Sequence, residues 1–226
     1  MPPWKSSHPP FESRSYIDLT LAALRSFGAN VSFTDTYTIA VSGTKMHAWS
    51  GRIEGDYSNA AFLDAFNTFG ADVRVGNLHP DSLQGDRVYR AYFRQICEGT
   101  PTLDVSDCPD LAPILFALAA MKNGAVFTGT DRLKAKESDR GMAMHEELSK
   151  LGGGLLFGDN VITVPRQTLH PTNVPLDGHN DHRIVMALSV ILSQLGGTID
   201  GAQAVRKSYP GFFDDIKALG VEVDYQ

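Results

Sequence analysis

Apolar residues recur along the chain in two kinds of segment. The first is amphipathic, with hydrophobic positions three and four apart, a small-residue stop and then a short apolar strand. Residues 16–27 show it, with Gly28 as the stop and a strand over 30–33. Residues 138–151 repeat it, broken by Gly152, Gly153 and Gly154 ahead of a strand over 155–157. Residues 212–219 repeat it again, ended by Gly220 and followed by alternation over 221–225; residues 84–97 are a weaker copy with Gly99 as the stop. The second kind is a helix that is more apolar all round. It appears at 58–69 before Gly70, at 111–121 before Gly124 and at 182–195 before Gly196, with strands expected at 72–75, 125–128 and 198–199. Glycine just past a helix is the expected left-handed cap.

Gly70, Gly124 and Gly196 recur roughly 50 to 70 positions apart. The repeating unit is therefore about 60 residues, two helices with strands between and after them, longer than common solenoid repeats and large enough to form one wall of a domain. Strands alternating with three-turn helices make the class α/β or α+β. The apolar helices should face inward and the amphipathic ones partly outward.

Composition narrows this picture. At about 150 residues per domain, 226 residues amount to about one and a half domains. With 42% hydrophobic and 20% charged residues the chain is globular, which excludes disordered, collagen and coiled-coil readings. No apolar run approaches the ~18 residues of a membrane span. The net charge of -6 argues against a dedicated nucleic-acid binder. Cys97 and Cys108 are too few for a disulfide framework or a thiolate metal site, so a reduced, cytoplasmic compartment is the expectation. Residues 1–10 hold four prolines and no apolar core; they read as an unstructured leader, not a secretory signal.

The acidic balance hides basic clusters. Arg132, Lys134, Lys136 and Arg140 lie close together, Arg183 follows Asp181 and His182, and Arg206 and Lys207 precede Ser208, Tyr209 and Pro210. All three sites lie at or just before an expected helix start, where the helix dipole disfavours cations. Cations there add to free N–H groups and make a site for phosphate or carboxylate. Each hydrogen bond to a charged group contributes about 1.5–3 kcal/mol. The plainer alternative is that they are solvated surface charges.

These clusters sit in recognisable motifs. Lys136-Glu137-Ser138-Asp139-Arg140, Asn180-Asp181-His182-Arg183 and Lys207-Ser208-Tyr209-Pro210 resemble the C-terminal motifs of the 5-enolpyruvylshikimate-3-phosphate synthase family. Ser13-Arg14-Ser15-Tyr16-Ile17-Asp18, Glu54-Gly55-Asp56-Tyr57-Ser58, Gln84-Gly85-Asp86 and Pro109-Asp110 match too, in order and spacing, from Ser13 to nearly the end. The resemblance implies an inside-out α/β barrel, two globules each of three βαβαββ units about a pseudo-threefold axis, helices inside and sheets outside, with the active site in the cleft between them. It implies transfer of the enolpyruvyl group from phosphoenolpyruvate to the 5-hydroxyl of shikimate 3-phosphate, releasing phosphate through a tetrahedral intermediate, without metal or organic cofactor and within chorismate and aromatic amino acid biosynthesis. Glyphosate is the inhibitor it implies for the intact family.

Site roles follow from the same resemblance. Asp110 contacts the shikimate hydroxyls and accepts a proton; Lys136 binds the shikimate moiety near the reacting hydroxyl; Glu137 serves proton transfer at the phosphoenolpyruvate methylene. Arg140 and Arg183 grip phosphoenolpyruvate, mainly its carboxylate, which suits arginine's planar fork. Lys207 lies on the phosphate side with His182 beside it, Asp181 orients Arg183, and Ser13 and Tyr16 contact shikimate 3-phosphate. Plainer roles stand beside these: helix N-caps for Asp110 and Ser13, an ion pair with Arg140 for Glu137, a structural role for His182. A carboxylate among cations has a depressed pKa, so an acid role for Glu137 requires burial or coupling.

The chain also departs from the family. Its N-terminal half is absent, with that half's contacts to both substrates, residues 1–11 do not match what precedes Ser13, and Lys134 stands where arginine is common. A truncated or frame-disrupted reading frame is the expectation, which resequencing upstream would test. The expected organisation is a leader or non-family segment at 1–12, a remnant unit of the other globule at 13–53, and a nearly complete C-terminal globule at 54–226 lacking a short N-terminal strand segment. Activity is expected to need the missing half, and the exposed cleft face is expected to favour a homodimer through 13–53. The alternatives are an inactive fragment with weak anion binding and a related transferase acting on a UDP-sugar.

Overall fold

The computed structural model describes residues 13–42 and 45–225; the expected leader at 1–12 lies outside them. The first unit is a helix and a hairpin. α1 (Arg14–Ser26) ends as the Gly28 N–H bonds the Arg25 carbonyl at 2.9 Å, with Gly28 in the left-handed region at φ 87°. β1 (Asn30–Phe33) then pairs antiparallel with β2 (Ile39–Ser42).

The second unit opens with α2 (Tyr57–Asp64), whose first turn is closed by Asp56: its carboxylate accepts the Ser58 N–H at 2.9 Å. α2 tightens into a 3-10 turn over Ala65–Phe69. The weaker copy at 84–97 is correspondingly irregular, a 3-10 turn over Gly85–Val88 and then α3 (Tyr89–Glu98). Its stop, Gly99, is extended at φ 179°, not left-handed. β3 (Thr102–Asp104), α4 (Ala112–Met121) and β4 (Ala125–Thr128) follow as a parallel pair joined by a crossover helix. α5 (Arg140–Lys150) leads into β5 (Leu156–Gly158) and β6 (Val161–Val164), which complete a four-stranded sheet in the order β3-β4-β6-β5.

The crossover recurs at the C-terminal end. β7 (Leu176–Asp177), α6 (His182–Leu195) and β8 (Ile199–Asp200) form a second parallel pair around a helix, followed by α7 (Phe212–Ala218). α4 and α6 pack together at the centre. Every residue of α4 from Ala112 to Ala120 is buried, and so is α6 from His182 to Ile191. Helices with so little polar surface are stable only inside, so the four-stranded sheet lies outside them, turning Leu103, Phe127, Ile162 and Val164 inward.

Two expected strands, 72–75 and 221–225, join no sheet among the described residues. Val73, Val75, Val221 and Val223 still pack against the core. A strand is completed by a partner's hydrogen bonds; residues 221–225 instead border a groove of about 1250 Å³ lined by Phe66, Leu192, Ile199, Phe213 and Tyr225 among others.

Candidate anion site

The site begins with three turns that deliver charge to one place. Asp110 lies in a 3-10 turn, Pro109–Leu111, just ahead of α4. Arg140 is the first residue of α5, set by Asp139, whose carboxylate accepts the Met142 N–H at 3.1 Å. Arg183 is the second residue of α6, set by Asp181, whose Oδ1 accepts the Arg183 N–H at 2.9 Å. Asp139 and Asp181 each satisfy an orphan helix amide, which fixes where the adjacent guanidinium starts.

The side chains form one ionic network. Arg140, fully buried, donates from Nε to Asp181 Oδ2 at 3.0 Å, from one terminal nitrogen to Asp110 Oδ1 at 2.7 Å, and from the other to Glu137 Oε2 at 2.7 Å. Arg183 donates to Asp110 Oδ2 at 2.9 Å and to the Ser58 hydroxyl. Lys136 Nζ is 3.1 Å from Asp110 Oδ1 and lies over the Tyr16 ring, 5.7 Å from its centroid. Ser138 Oγ donates to Asp181 Oδ2 at 3.1 Å. These carboxylates offset the unfavourable placement of cations at helix starts; a guanidinium buried this deeply requires such partners.

Protonation follows from this crowding. Burial alone would raise the Asp110 carboxyl, but Arg183, Arg140 and Lys136 outweigh it and hold it well below the usual carboxylate range. Burial opposes Asp181 in the same way, and Arg140 overcomes it and lowers the group. Burial, with Arg183 beside it, lowers His182, which favours the neutral imidazole. Asp86 shows the opposite balance: burial and the charge of Asp110 push its carboxyl up to about 7. Burial, Asp86 and Asp110 raise the Tyr16 phenol.

The structure brings the expected site residues to this network or its margin. Asp110 is not the N-cap that its position suits; its oxygens take cations, and no side chain caps that turn. Ser13 occupies the cap position of α1 at φ 58°, yet its hydroxyl makes no cap bond. Its N–H bonds the Ser106 carbonyl at 3.1 Å and the Ser15 N–H bonds Asp107 at 2.8 Å, which docks α1 beside Asp110. Glu137 pairs with Arg140 as its plainer reading expects, and it is the partly exposed member, at 41%. Asp181 orders Arg183 through the backbone and, beyond that expectation, anchors Arg140. Lys207 stands at the margin, its ammonium on the Asn180 carbonyl, and among the described residues no carboxylate is within ion-pair reach of it. Lys134 stays outside, paired on the surface with Asp131 at 2.9 Å.

Around the network, Ser13 Oγ, Asp86 Oδ1, both His182 ring nitrogens and Arg183 Nε are buried without a hydrogen-bond partner among the described residues. Each such group costs about 1–3 kcal/mol unless a ligand or water satisfies it. The large groove touches none of these residues.

The description "EPSP synthase (3-phosphoshikimate 1-carboxyvinyltransferase)" belongs to the family model that matches residues 6–216. The chain belongs to this family. It is 35% identical to the 3-phosphoshikimate 1-carboxyvinyltransferase of Clostridium kluyveri over 94% of its own length and 54% of that protein's. It is 35% identical to the Methanoregula boonei protein of the same name, over 92% of the chain and 54% of the relative. It thus spans about half the length of the curated relatives it matches. The EPSP synthase of Acinetobacter baumannii superposes with a TM-score of 0.77 at 23% identity, covering 98% of this chain and 57% of that one. The enolpyruvyl transferase NikO from Streptomyces tendae superposes at 0.65 and 16% identity, over 97% and 56%. The fold is accordingly the α/β enolpyruvyl transferase fold.

Three members of the network carry no sequence-level expectation: Ser58, Asp86 and Ser138. Each lies inside one of the family motifs; the hydrogen bonds of Ser58 to Arg183 and Ser138 to Asp181, and the charge effect of Asp110 on Asp86, cross long stretches of chain that spacing cannot reveal.

Proposed function

We propose that this chain is the C-terminal half of an enzyme that transfers the enolpyruvyl group of phosphoenolpyruvate to the 5-hydroxyl of shikimate 3-phosphate. The single observation that carries this reading is the buried network in which Arg140, Arg183 and Lys136 converge on Asp110. Arg140 and Arg183 are forks suited to a carboxylate. Glu137, the most exposed acid of the network, is the one an incoming phosphoenolpyruvate carboxylate would displace from Arg140. Lys207 is placed for the phosphate.

The electrostatics give the acid and base an order. Asp110 with three cations on it is a weak base. A bound dianion shares those cations and raises the basicity of Asp110 as the shikimate hydroxyl must lose its proton. Glu137, released from Arg140, is then free to carry a proton at the methylene. Ser13, at the start of α1, and Tyr16, beside Asp110, hold shikimate 3-phosphate. No step needs a metal or organic cofactor.

The organisation proposed is a remnant unit at 13–53 and a C-terminal globule at 54–226. The separate β1–β2 sheet and the docking of α1 through Ser106 and Asp107 support it. Exposed Val41, Met46, Trp49 and Ile53 support self-association through 13–53.

The test is titration calorimetry and turnover with phosphoenolpyruvate and shikimate 3-phosphate, with and without the family's N-terminal half added as a separate chain. Weak anion binding alone and turnover only on reconstitution are expected, because the reaction needs groups from both sides of the cleft. Turnover by the chain alone would refute the requirement for two halves. Absence of binding and turnover in the mixture would refute the assignment.

A further inference from the structure

Two turns along α5 from Arg140, Glu147 is almost completely buried, at 1% exposure. Its carboxylate collects four donor contacts. Oε1 takes Lys150 Nζ at 2.9 Å and His179 Nε2 at 2.9 Å; Oε2 takes Lys150 Nζ at 2.8 Å and the Asp177 N–H at 2.8 Å. An ionised carboxylate only accepts, so the proton of this His179 contact is on Nε2. Glu146, Glu147 and His179 have their ligand atoms within 4.8 Å, which is metal-like spacing, but the Lys150 ammonium already occupies the cation position against both Glu147 oxygens.

What Glu147 grips is the turn that feeds the anion site. His179 and Asn180 are consecutive non-glycine residues in the left-handed region, at φ 48° and 51°. That conformation is disfavoured for L-residues and persists where surrounding bonds impose it. Here they are the Glu147 contacts to Asp177 and His179, and the Asp177 side chain on the His179 N–H at 2.7 Å. The outcome of the turn is functional. The Asn180 carbonyl receives the Lys207 ammonium, and Asp181 receives Arg140 and the Arg183 N–H. One helix therefore holds the turn at two points, Arg140 at its start and Glu147 two turns later.

We infer that Glu147 is a positioning residue of the anion site: through Asp177 and His179 it imposes the turn that presents Asn180 to Lys207 and Asp181 to the two arginines. This rests on the reading of the site given above, and it adds a residue outside the matched motifs that touches no substrate.

The test uses the full chain with Glu147→Gln, which replaces an acceptor oxygen by a donor, and reads two quantities. Amide hydrogen exchange at Asp177 and Asp181 should speed up about tenfold while exchange within α4 is unchanged. Affinity for phosphoenolpyruvate by calorimetry should fall about fivefold, and in a Lys207→Ala background the same substitution should cost less than about twofold, because its route runs partly through Lys207. Unchanged exchange in the turn overturns the inference, and so does an equal loss of affinity in both backgrounds, which is what a merely structural role would give. Should phosphoenolpyruvate not bind even with the family's N-terminal half added, the anion-site reading fails while the exchange arm still decides whether Glu147 imposes the turn. Should Glu147→Gln not fold, His179→Asn removes one donor but keeps a residue suited to left-handed backbone; about threefold faster exchange at Asp181 supports the inference, and no change overturns it.

Discussion

At the scale of single residues, the site is a balance between burial and charge, and Asp110 and Asp86 sit on opposite sides of it. Asp110 is held ionised by three cations, so its folded pKa lies below its unfolded one near 3.9. Its stabilising contribution is present above that unfolded value and is lost as pH falls towards the folded one. Asp110→Asn should therefore lower stability by about 3–5 kcal/mol at neutral pH, because it strips a partner from buried arginines, and should flatten the acid limb of a urea-denaturation series against pH. Asp86 has the reverse sign. Its carboxyl is raised to about 7, so the ionised form is disfavoured on folding and stability declines as pH rises from near 4 through 7. Asp86→Asn should be more stable than wild type at pH 8, on the order of 2 kcal/mol, with the difference vanishing near pH 4. An equal difference at both pH values would show that charge is not the cause.

At the scale of elements, helix starts do the positioning, and α1 packs tightly against Gly85. A Cβ there would run into the Asp107 carbonyl and lie 2.7 Å from Ser15 Oγ. Those two residues dock α1 beside Asp110. Gly85→Ala should cost about 1–3 kcal/mol and loosen α1 selectively, visible as faster amide exchange at Ser15 with α6 unaffected. The repeat of apolar helices was legible in sequence because period and glycine stops are local properties. α6 matches its expected span of 182–195. The segments 72–75 and 221–225 alternate like strands yet pair with no strand among the described residues, since pairing depends on a neighbour that local pattern does not contain.

For the whole molecule, the question is what covers the surfaces left open. Val41 and Ile53 are 73% and 78% exposed, near Met46 and Trp49. Light scattering should show a dimer at micromolar concentration, and Val41→Lys with Ile53→Lys should shift it to monomer; a monodisperse wild-type monomer would count against association through 13–53. No helix among the described residues is long and apolar enough to cross a membrane.

The sequence by itself determined the alternation of helix and strand, the apolar character of α4 and α6, and the family motifs, because each is written in residues close along the chain. It also marked the basic clusters near helix starts. Only the tertiary structure decided which of them come together. Arg140, Arg183 and Lys136 come together on Asp110 while Lys134 is left on Asp131. It also decided which way Asp86 and Asp110 shift, and the three donors that Glu147 gathers. Burial and the distances between charges set those properties, and both arise only when segments remote in sequence are packed against one another.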